Sequence, residues 1–520
     1  MKKRIGSIVL TLLLAATLVM AGGRAEKEPE EEGRPSGSVT WVETTPIGTR
    51  VGLDPCTGYV AGPEAEAGLL LFEGLVGKGV LGETLPRLAK SWEIAPDWNY
   101  VDFTLMKGIK FHNGEAFTAE DVKFSLDRYM NPKYMWIFNS HIKEYINRVE
   151  VLDDYHVRFY FTKPWPAFFH VAAYFMTMLP KDYIEEVGDE VFAYNPVGTG
   201  PGRFVKLKKD EFVHLEAVEN HWRQTFDFKD FYQVTSEDAS TNLAMLRTGE
   251  ADIIRLDLEH IPAVEADPNL RTIPIKHSKM VSIMPFDIAY PEPTPWKDAR
   301  VRKAAVLGVD RESIAKNLMH GAGEPWKSFL PPYCLGFDPS IKPDPYDPKR
   351  ARELMAEAGY ADGFDTTFFI FPEYQFMEAF VSYWAEVGIR AKFELVDVGE
   401  WRARVTSQKE RGTITYTSEP YWVGGSHPCT ALADLIGSWM GVPVPDWFKK
   451  AYNKCCEART EKEIIQAGRE IEILMRESGY WMPMLSFHEI LGVGPKIKSF
   501  DPPQGMAEPT RFEYIKLNKK

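Results

Sequence analysis

The sequence predicts an α/β protein. Alternating, strand-like runs and helix-like apolar stripes succeed one another along the chain, and glycines repeatedly close a helix just ahead of an apolar strand. The 520 residues, 44% hydrophobic and 26% charged, allow a large core and about two to four domains.

The first strand is expected at residues 39–42, leading to a Leu53-Asp54-Pro55 turn, and an apolar helix at 65–75 ends near Gly77. Trp92 and Ile94 precede a turn at Pro96-Asp97. Beyond it Val101, Phe103 and Leu105 alternate with Tyr100, Asp102 and Thr104, the pattern of a half-buried strand. Gly108 and Asn113-Gly114 supply turn chemistry. Thr118-Ala-Glu-Asp121 forms a capping box, with Asp in the place usually taken by Glu or Gln. Val122, Leu126, Tyr129 and Met130 fall on one face of the helix it opens. Short strands follow Arg148, with Val149, Val151 and residues 155–161 alternating, and an apolar stretch covers 168–178.

The run from Asn195 to Phe204 (NPVGTGPGRF) is dense in turn residues and leads into strands over 204–217. It lacks the Lys-Ser/Thr ending of a nucleotide loop and runs into a strand rather than a helix, which argues against phosphate binding. A helix at 238–247 closes on Gly249 before a strand at 251–254. A strand from Ser282 enters a Pro-rich stretch at 285–295, a candidate hinge. Asp298 and Asp310 open two helices, the second ending at Gly321, with Arg300 and Arg302 expected on a solvated or salt-bridged face. Asp347-Pro348 starts a helix closed by Gly359, Pro being favoured in the first turn. A strand at 368–371 follows, then a helix striped by Phe376, Phe380, Val381 and Trp384 that ends at Gly388. Ile389, Ala391, Phe393 and Leu395 alternate in the next strand. Thr460-Glu-Lys-Glu463 is a second capping box, with Ile464, Ile471 and Met475 inward, and Pro483-Met-Leu485 begins a late strand.

The N-terminus reads as an export signal. Lys2, Lys3 and Arg4 precede an uncharged apolar run to Met20, and Val19-Met20-Ala21 offers a small-residue cleavage site. Removing residues 1–21 moves the formal charge from −13 to −16, an acidic balance that argues against nucleic acid and anionic lipid. Residues 22–37 are polar, charged and too poor in apolar groups to fold. The five cysteines (Cys56, Cys334, Cys429, Cys455, Cys456) allow one disulfide, with Cys334 and Cys429 as one expected pair, but spacing does not fix the pairing. Cys455 and Cys456, neighbours on a helix, point in different directions. No Cys-x-x-Cys pair marks a zinc or redox site.

Enzyme signatures are missing. The chain has no His-Glu-x-x-His helix, Gly-x-Ser-x-Gly elbow, Walker loop or dinucleotide fingerprint, and no two of its 11 His lie at i, i+4. His112 is expected to be structural. No cofactor or metal is expected. Aromatic residues, 13% of the chain with 14 Trp and 22 Tyr, suit either a large core or a cleft lined with flat side chains.

Residues 85–130, from PRLAKSWEIAPDWNY through GIKFHNGEAFTAEDVKFSLDRYM, resemble the signature of the family 5 extracellular solute-binding proteins, which include oligopeptide- and dipeptide-binding components of ABC importers. The resemblance continues through most of the mature chain. Residues 196–202 match a PxGTGPY block with Gly202 in place of Tyr. Asp298-Ala-Arg-Val-Arg302 and the Pro483-Met-Leu485 strand match as well. The resemblance implies a three-domain α/β periplasmic-binding-protein clam, two lobes with hinge crossovers plus an inserted small domain. After a signal peptide (1–21) and an acidic linker (22–37), domain I comprises 38–72, 196–284 and 488–520. Domain II is the insertion 73–195, and domain III covers 285–487. Such a protein encloses a solute between lobes and delivers it to an ABC permease in the inner membrane, with no covalent chemistry, and is expected to be a monomer. Many relatives carry a lipidated Cys after the signal; Gly22 and Gly23 stand there instead, so a soluble periplasmic protein is expected.

The run Tyr416 to Pro428 (YTSEPYWVGGSHP) resembles the family's central ligand loop, which makes Trp422, Tyr421 and Tyr416 candidate ligand contacts. In peptide binders of the family an Asp three positions after that Trp pairs with the peptide's amino group; here the position is Gly425. A buried ammonium without its carboxylate is strongly destabilised, so a ligand held by stacking and hydrogen bonds, such as an oligosaccharide, is expected alongside an oligopeptide. Trp41, Glu43, Tyr59, Trp136 and Asp287 are further candidates by position in the family fold. Two other classes remain open, a secreted carbohydrate-active hydrolase and a metal- or haem-scavenging binder of the same fold.

Overall fold

Period-two burial decides the strands. In a computed structural model, which describes residues 35–48, 52–57, 62–78, 84–134, 139–285, 293–371, 376–407, 409–420, 427–432, 444–504 and 511–518, each expected strand in these segments is present. β1 (Ser38–Glu43) is followed by the small pair β2 (Val76–Lys78) and β3 (Thr84–Pro86). β4 (Ala89–Ile94), β5 (Tyr100–Leu105), β6 (Ile146–Asp153) and β7 (His156–Phe161) make a four-stranded antiparallel sheet in the order β4-β5-β7-β6. Val101, Phe103 and Leu105 point inward and their partners outward, as the alternation requires. The remaining major strands are β8 (Gly202–Lys208), β9 (Phe212–Ala217), β10 (Asp230–Thr235), β11 (Ile253–Arg255), β12 (Arg271–Pro285), β13 (Gly323–Pro325), β14 (Phe364–Ile370), β15 (Ile389–Leu395), β16 (Thr413–Pro420) and β17 (Met482–Val493). With β1 they form one eleven-stranded mixed sheet, ordered β15-β14-β16-β12-β17-β11-β1-β10-β9-β8, with β13 added to β17.

The four-stranded sheet falls within residues 73–195 and has its own aromatic core, where Phe103, Phe159, Phe161 and Phe168 pack at centroid distances of 5.2–6.1 Å. Helix Ala119–Met130 covers it. Both arms of the capping box are formed: Asp121 Oδ2 accepts the Thr118 amide at 2.9 Å. The short acid has a second use, since its Oδ1 accepts the Lys181 amide at 3.0 Å, at the start of helix Lys181–Val187. Near the end of the first helix Arg128 reaches back to the turn after β1, donating to Asp54 at 2.8 and 2.7 Å.

The glycine-rich run serves close packing. A Cβ on Gly198 would lie 2.0 Å from the Leu71 carbonyl oxygen, and one on Gly200 2.2 Å from that of Leu70. Gly200 donates to Leu71 O at 2.9 Å, and His112 is clamped between Gly198 and Gly200. Burial lowers the His112 imidazole to about 4, so it is neutral and structural, as expected.

A second core lies under β14–β16, built from Trp296, Phe364, Phe368, Phe380 and Trp384 with helices Ala299–Leu307, Pro348–Glu357 and Met377–Glu386. Each such side chain contributes roughly 1.5–3 kcal/mol by leaving water, and the Trp384 indole N–H is satisfied by Ala305 O at 2.9 Å. Helix Glu461–Ser478 carries the second capping box and ends on Gly479, with Ile464, Ile471 and Met475 buried.

Three expectations are corrected. The helix expected at 65–75 spans Pro63–Leu71. Residues 72–78 are drawn instead into long-range pairing: Glu73 O accepts from Met178 N at 2.8 Å, Gly74 O from Leu88 N at 3.2 Å, and Val76–Lys78 becomes β2. The disulfide joins Cys429 to Cys456 (Cα–Cα 5.4 Å), while Cys334 is a buried free thiol. Helix Asp446–Glu457 packs on the short helix Pro428–Ala431, Tyr452 donating to Cys429 O at 3.1 Å, and this brings Cys456 rather than Cys334 to Cys429. Cys455 faces elsewhere and stays free and buried. Finally, Arg302 is not on a solvated face. It is buried and donates to Trp296 O at 2.6 Å and Ser478 O at 2.5 Å, and desolvation lowers it to about 10. Arg300 is exposed and paired with Asp298, as expected.

Candidate functional site

Strand directions create a gap spanned by two strands. β1, β10 and β11 are mutually parallel, as are β14, β15 and β16. β11 is antiparallel to β17, β17 to β12, and β12 to β16, so the two parallel sets point toward one another. Arg255, at the end of β11, is level with Leu491, whereas Pro420, at the end of β16, is level with Lys279 and Phe487. The four-residue interval from Leu491 to Phe487 separates these levels by about 13 Å at the usual strand rise. Carboxyl ends of parallel strands are where open α/β sheets bind ligands. Here two such ends face each other across a crossover made of β12 and β17.

On the β1 side, Trp41 and Glu43 lie at the end of the strand but both are buried. Trp41 donates its indole N–H to Glu66 Oε2 at 2.8 Å and packs on Phe512 at 5.5 Å. Glu66 Oε2 also accepts from Gln233 at 2.9 Å. Glu43 Oε1 accepts the Thr44 amide at 3.0 Å, and its other oxygen accepts from Arg255 Nε at 2.9 Å. Arg255 Nη2 donates to Glu66 Oε1 at 2.7 Å, and its Nη1 contacts Glu489. The guanidinium lies 5.6 Å from the Trp41 ring. In this form Trp41 is therefore part of the wall, with its ring facing protein.

On the opposite side Tyr416, near the end of β16, is also buried, its ring 5.4 Å from Phe371. Phe371 meets Trp401 edge-on at 5.3 Å, and Trp401 donates to Thr415 Oγ1 at 2.9 Å. Thr415 in turn donates to Phe369 O at 2.7 Å. Flat side chains backed by a satisfied polar chain make a rigid aromatic wall.

The crossover carries its own polar group. A bulge shifts the β12–β17 register between Ile275 and Lys279, and His277 within it has φ +53°. His277 hydrogen-bonds Ser486 Oγ at 2.9 Å, and its amide donates to His488 Nδ1 at 3.1 Å. Burial lowers His277 to about 4 and lowers His488 as well, so both are neutral. Beside the bulge is a cavity of about 780 Å³, lined by His277, Arg311, Glu324, Trp326, Phe337 and Tyr346 among others.

Five sequence candidates, Trp422, Tyr421, Tyr59, Trp136 and Asp287, lie outside the described residues, as do Gly424 and Gly425. Glu66, Arg255, Glu489, Phe371 and Trp401 were missed. A charged residue inside an apolar helix or at a strand end, as with Glu66 and Arg255, was the available signal. Among the described residues, Asp257, Glu259 and His260 have ligand atoms within 4.8 Å of one another, but the two acids are exposed.

Residues 83–428 match the model of bacterial extracellular solute-binding proteins, family 5 (middle region). The chain is 26% identical over 451 residues to haem-binding protein A of Haemophilus influenzae, covering 80% of this chain and 81% of that protein. It is 29% identical to the glutathione-binding protein GsiB of Salmonella choleraesuis, over 66% of this chain and 67% of the relative. Among solved structures it resembles the Helicobacter pylori periplasmic binding protein DppA in complex with the peptide STSA, with TM-score 0.77 and 24% identity, covering 94% and 99% of the two chains. The Listeria monocytogenes substrate-binding protein CtaP gives TM-score 0.81 at 20% identity, covering 94% and 100%.

Proposed function

This chain belongs to the bacterial extracellular solute-binding proteins of family 5, and from that premise we propose that it captures a peptide-sized solute between two lobes and delivers it to the permease of an ABC importer. One observation carries the reading: the carboxyl ends of two opposed sets of parallel strands face each other across the β12–β17 crossover. Relatives named for haem, glutathione and dipeptide binding support a solute of that size. The lobes correspond to domain I (38–72, 196–284 and 488–520) and domain III (285–487), with 73–195 as an inserted domain. The candidate hinge of this reading is the Pro-rich stretch at 285–295, of which 286–292 lie outside the described residues. Export to the periplasm belongs to the same reading, supported by the basic Lys2, Lys3 and Arg4 ahead of an uncharged apolar run. Mechanism is differential affinity for open and closed forms, which needs no covalent step.

Capture is tested by releasing small molecules from natively purified protein for mass spectrometry, then measuring small-angle scattering with and without the solute found. A smaller radius of gyration with solute is expected. An unchanged profile at saturation, from protein first shown to be empty, counts against a closing cleft.

A further inference from the structure

A smaller cavity, of about 90 Å³, shares no lining residue with the β12–β17 crossover. Its charged walls come from separate parts of the chain. Glu73 precedes β2 and Arg87 follows β3, while Arg223 lies between β9 and β10 and Arg511 and Glu513 come from the C-terminal end. Two of these groups serve a third. Glu73 accepts from Arg223 Nε at 2.8 Å and from Trp222 Nε1 at 3.0 Å. Arg223 Nη1 donates to Glu513 Oε1 at 3.4 Å and to the Tyr514 hydroxyl at 3.2 Å.

Arg87 and Arg511 are left over. Among the described residues neither guanidinium forms an ion pair with a carboxylate. Arg87 makes one side-chain hydrogen bond, from Nη1 to the adjoining Pro86 O at 3.3 Å, and the Arg511 guanidinium has only the face of Tyr514, 4.5 Å away. Arg87 is nonetheless held in place. Its amide donates to Leu75 O at 3.2 Å, and its guanidinium lies on Gly77, where a Cβ would meet Nε at 2.8 Å and Cζ at 3.1 Å. Desolvation, then the like charge of Arg223, lowers Arg87 below its ordinary value. Arg223, despite its own desolvation, is raised by Glu73 and Glu513. The cavity thus has three guanidiniums to two carboxylates, an excess of positive charge in a chain of formal charge −13. A guanidinium drawn out of water beside a like charge is costly until an anion completes its hydrogen bonds. Size narrows the anion. The cavity is far below the roughly 300–1,000 Å³ of pockets for drug-sized ligands, whereas one water needs about 10–15 Å³ of such space. Room for several waters admits one small oxyanion and excludes a peptide or a haem.

We propose that this cavity binds one small tetrahedral oxyanion, phosphate or sulfate, through the guanidiniums of Arg87 and Arg511, with Arg223 adding charge. Guanidinium forks match the oxygens of such an anion two at a time, and charge-assisted pairs of this kind are the strong hydrogen bonds of proteins. The site is separate from solute capture and does not depend on it. Arg87 belongs to the 73–195 segment, and Arg223 and Arg511 to segments placed in domain I. The anion therefore adds a tie across the junction that Glu73 and Arg223 already span, and it stabilises the folded chain by mass action.

The test uses the full chain, exchanged into buffer free of oxyanions near neutral pH. Sodium phosphate, sodium sulfate or sodium chloride is then added at matched ionic strength, with thermal shift and calorimetry as readouts. Phosphate or sulfate should raise the wild-type midpoint in a saturable way, with one site per chain, and chloride should not. Arg87→Gln and Arg511→Gln should each bind the same anion about tenfold or more weakly, the usual worth of a charged hydrogen bond. If Arg87→Gln does not fold, Arg511→Gln decides by the same criterion. An equal rise with chloride would mean general screening and overturn the site. Oxyanion binding unchanged in both variants would overturn it too, as would the absence of binding to wild type. Each of these outcomes leaves solute capture standing.

Discussion

Arg128 and Asp54, 74 positions apart, form a two-pronged ion pair with both side chains almost fully buried. The pair pins helix Ala119–Met130 to the Leu53-Asp54-Pro55 turn, and Asp189 extends it, accepting from Arg128 at 2.7 Å. These contacts with Arg128 and with Lys133 hold Asp189 at about 2, against its own desolvation. Removing one partner leaves an uncompensated buried charge, so Arg128→Met should cost about 3–5 kcal/mol. Urea unfolding should reveal this as a lowered midpoint; a loss below about 1 kcal/mol would mean the pair behaves like a surface bridge.

Glu472 supplies a pH signature. Burial raises its carboxyl to about 7, although it accepts the amides of Phe329 and Leu330 at 2.9 and 3.2 Å. Between the unfolded value near 4.5 and about 7 the folded state holds the extra proton, so this group lowers stability as pH rises through that window. Glu472→Gln should therefore gain on wild type progressively from pH 4.5 to 7, by up to about 3 kcal/mol. Paired denaturation curves across that range decide it, and a pH-independent difference would refute the assignment.

His112 and His221 have the opposite sign. Burial lowers both from 6.5 to about 4, with Gly200 O and Thr199 O as hydrogen-bond partners at 2.8 Å. The unfolded chain binds more protons between pH 6.5 and 4, so stability falls as pH drops through that interval. His112→Asn should flatten this acid limb. An acid limb as steep as that of wild type would show that other groups carry it.

The disulfide spans 27 positions. Cys456→Ser should cost about 2–4 kcal/mol, chiefly by freeing the unfolded chain. Alkylation with intact-mass readout should find one disulfide, with Cys56, Cys334 and Cys455 modified only after unfolding. Rapid labelling of native protein at these sites would contradict their burial.

Trp422 remains the aromatic candidate for the ligand itself. Stacking contributes roughly 0.5–1.5 kcal/mol beyond area burial, so Trp422→Ala should weaken the solute about tenfold or more while the fold survives. A loss of about 3–5 kcal/mol in stability would instead mark a core tryptophan.

The sequence by itself determined what is local. Thr118 with Asp121 and Thr460 with Glu463 announced two helices, and alternation announced β5, because capping and pleating act within a few residues. The family resemblance carried the architecture. The end of the helix at Leu71, the pairing of Cys429 with Cys456 and the burial of Arg302 were decided only by tertiary contacts. So was the charged group at the gap, where Glu43, Glu66, Arg255 and Glu489 come from four separate elements. Strand register brings such side chains together, and no short-range pattern in the chain encodes register between strands more than 200 positions apart.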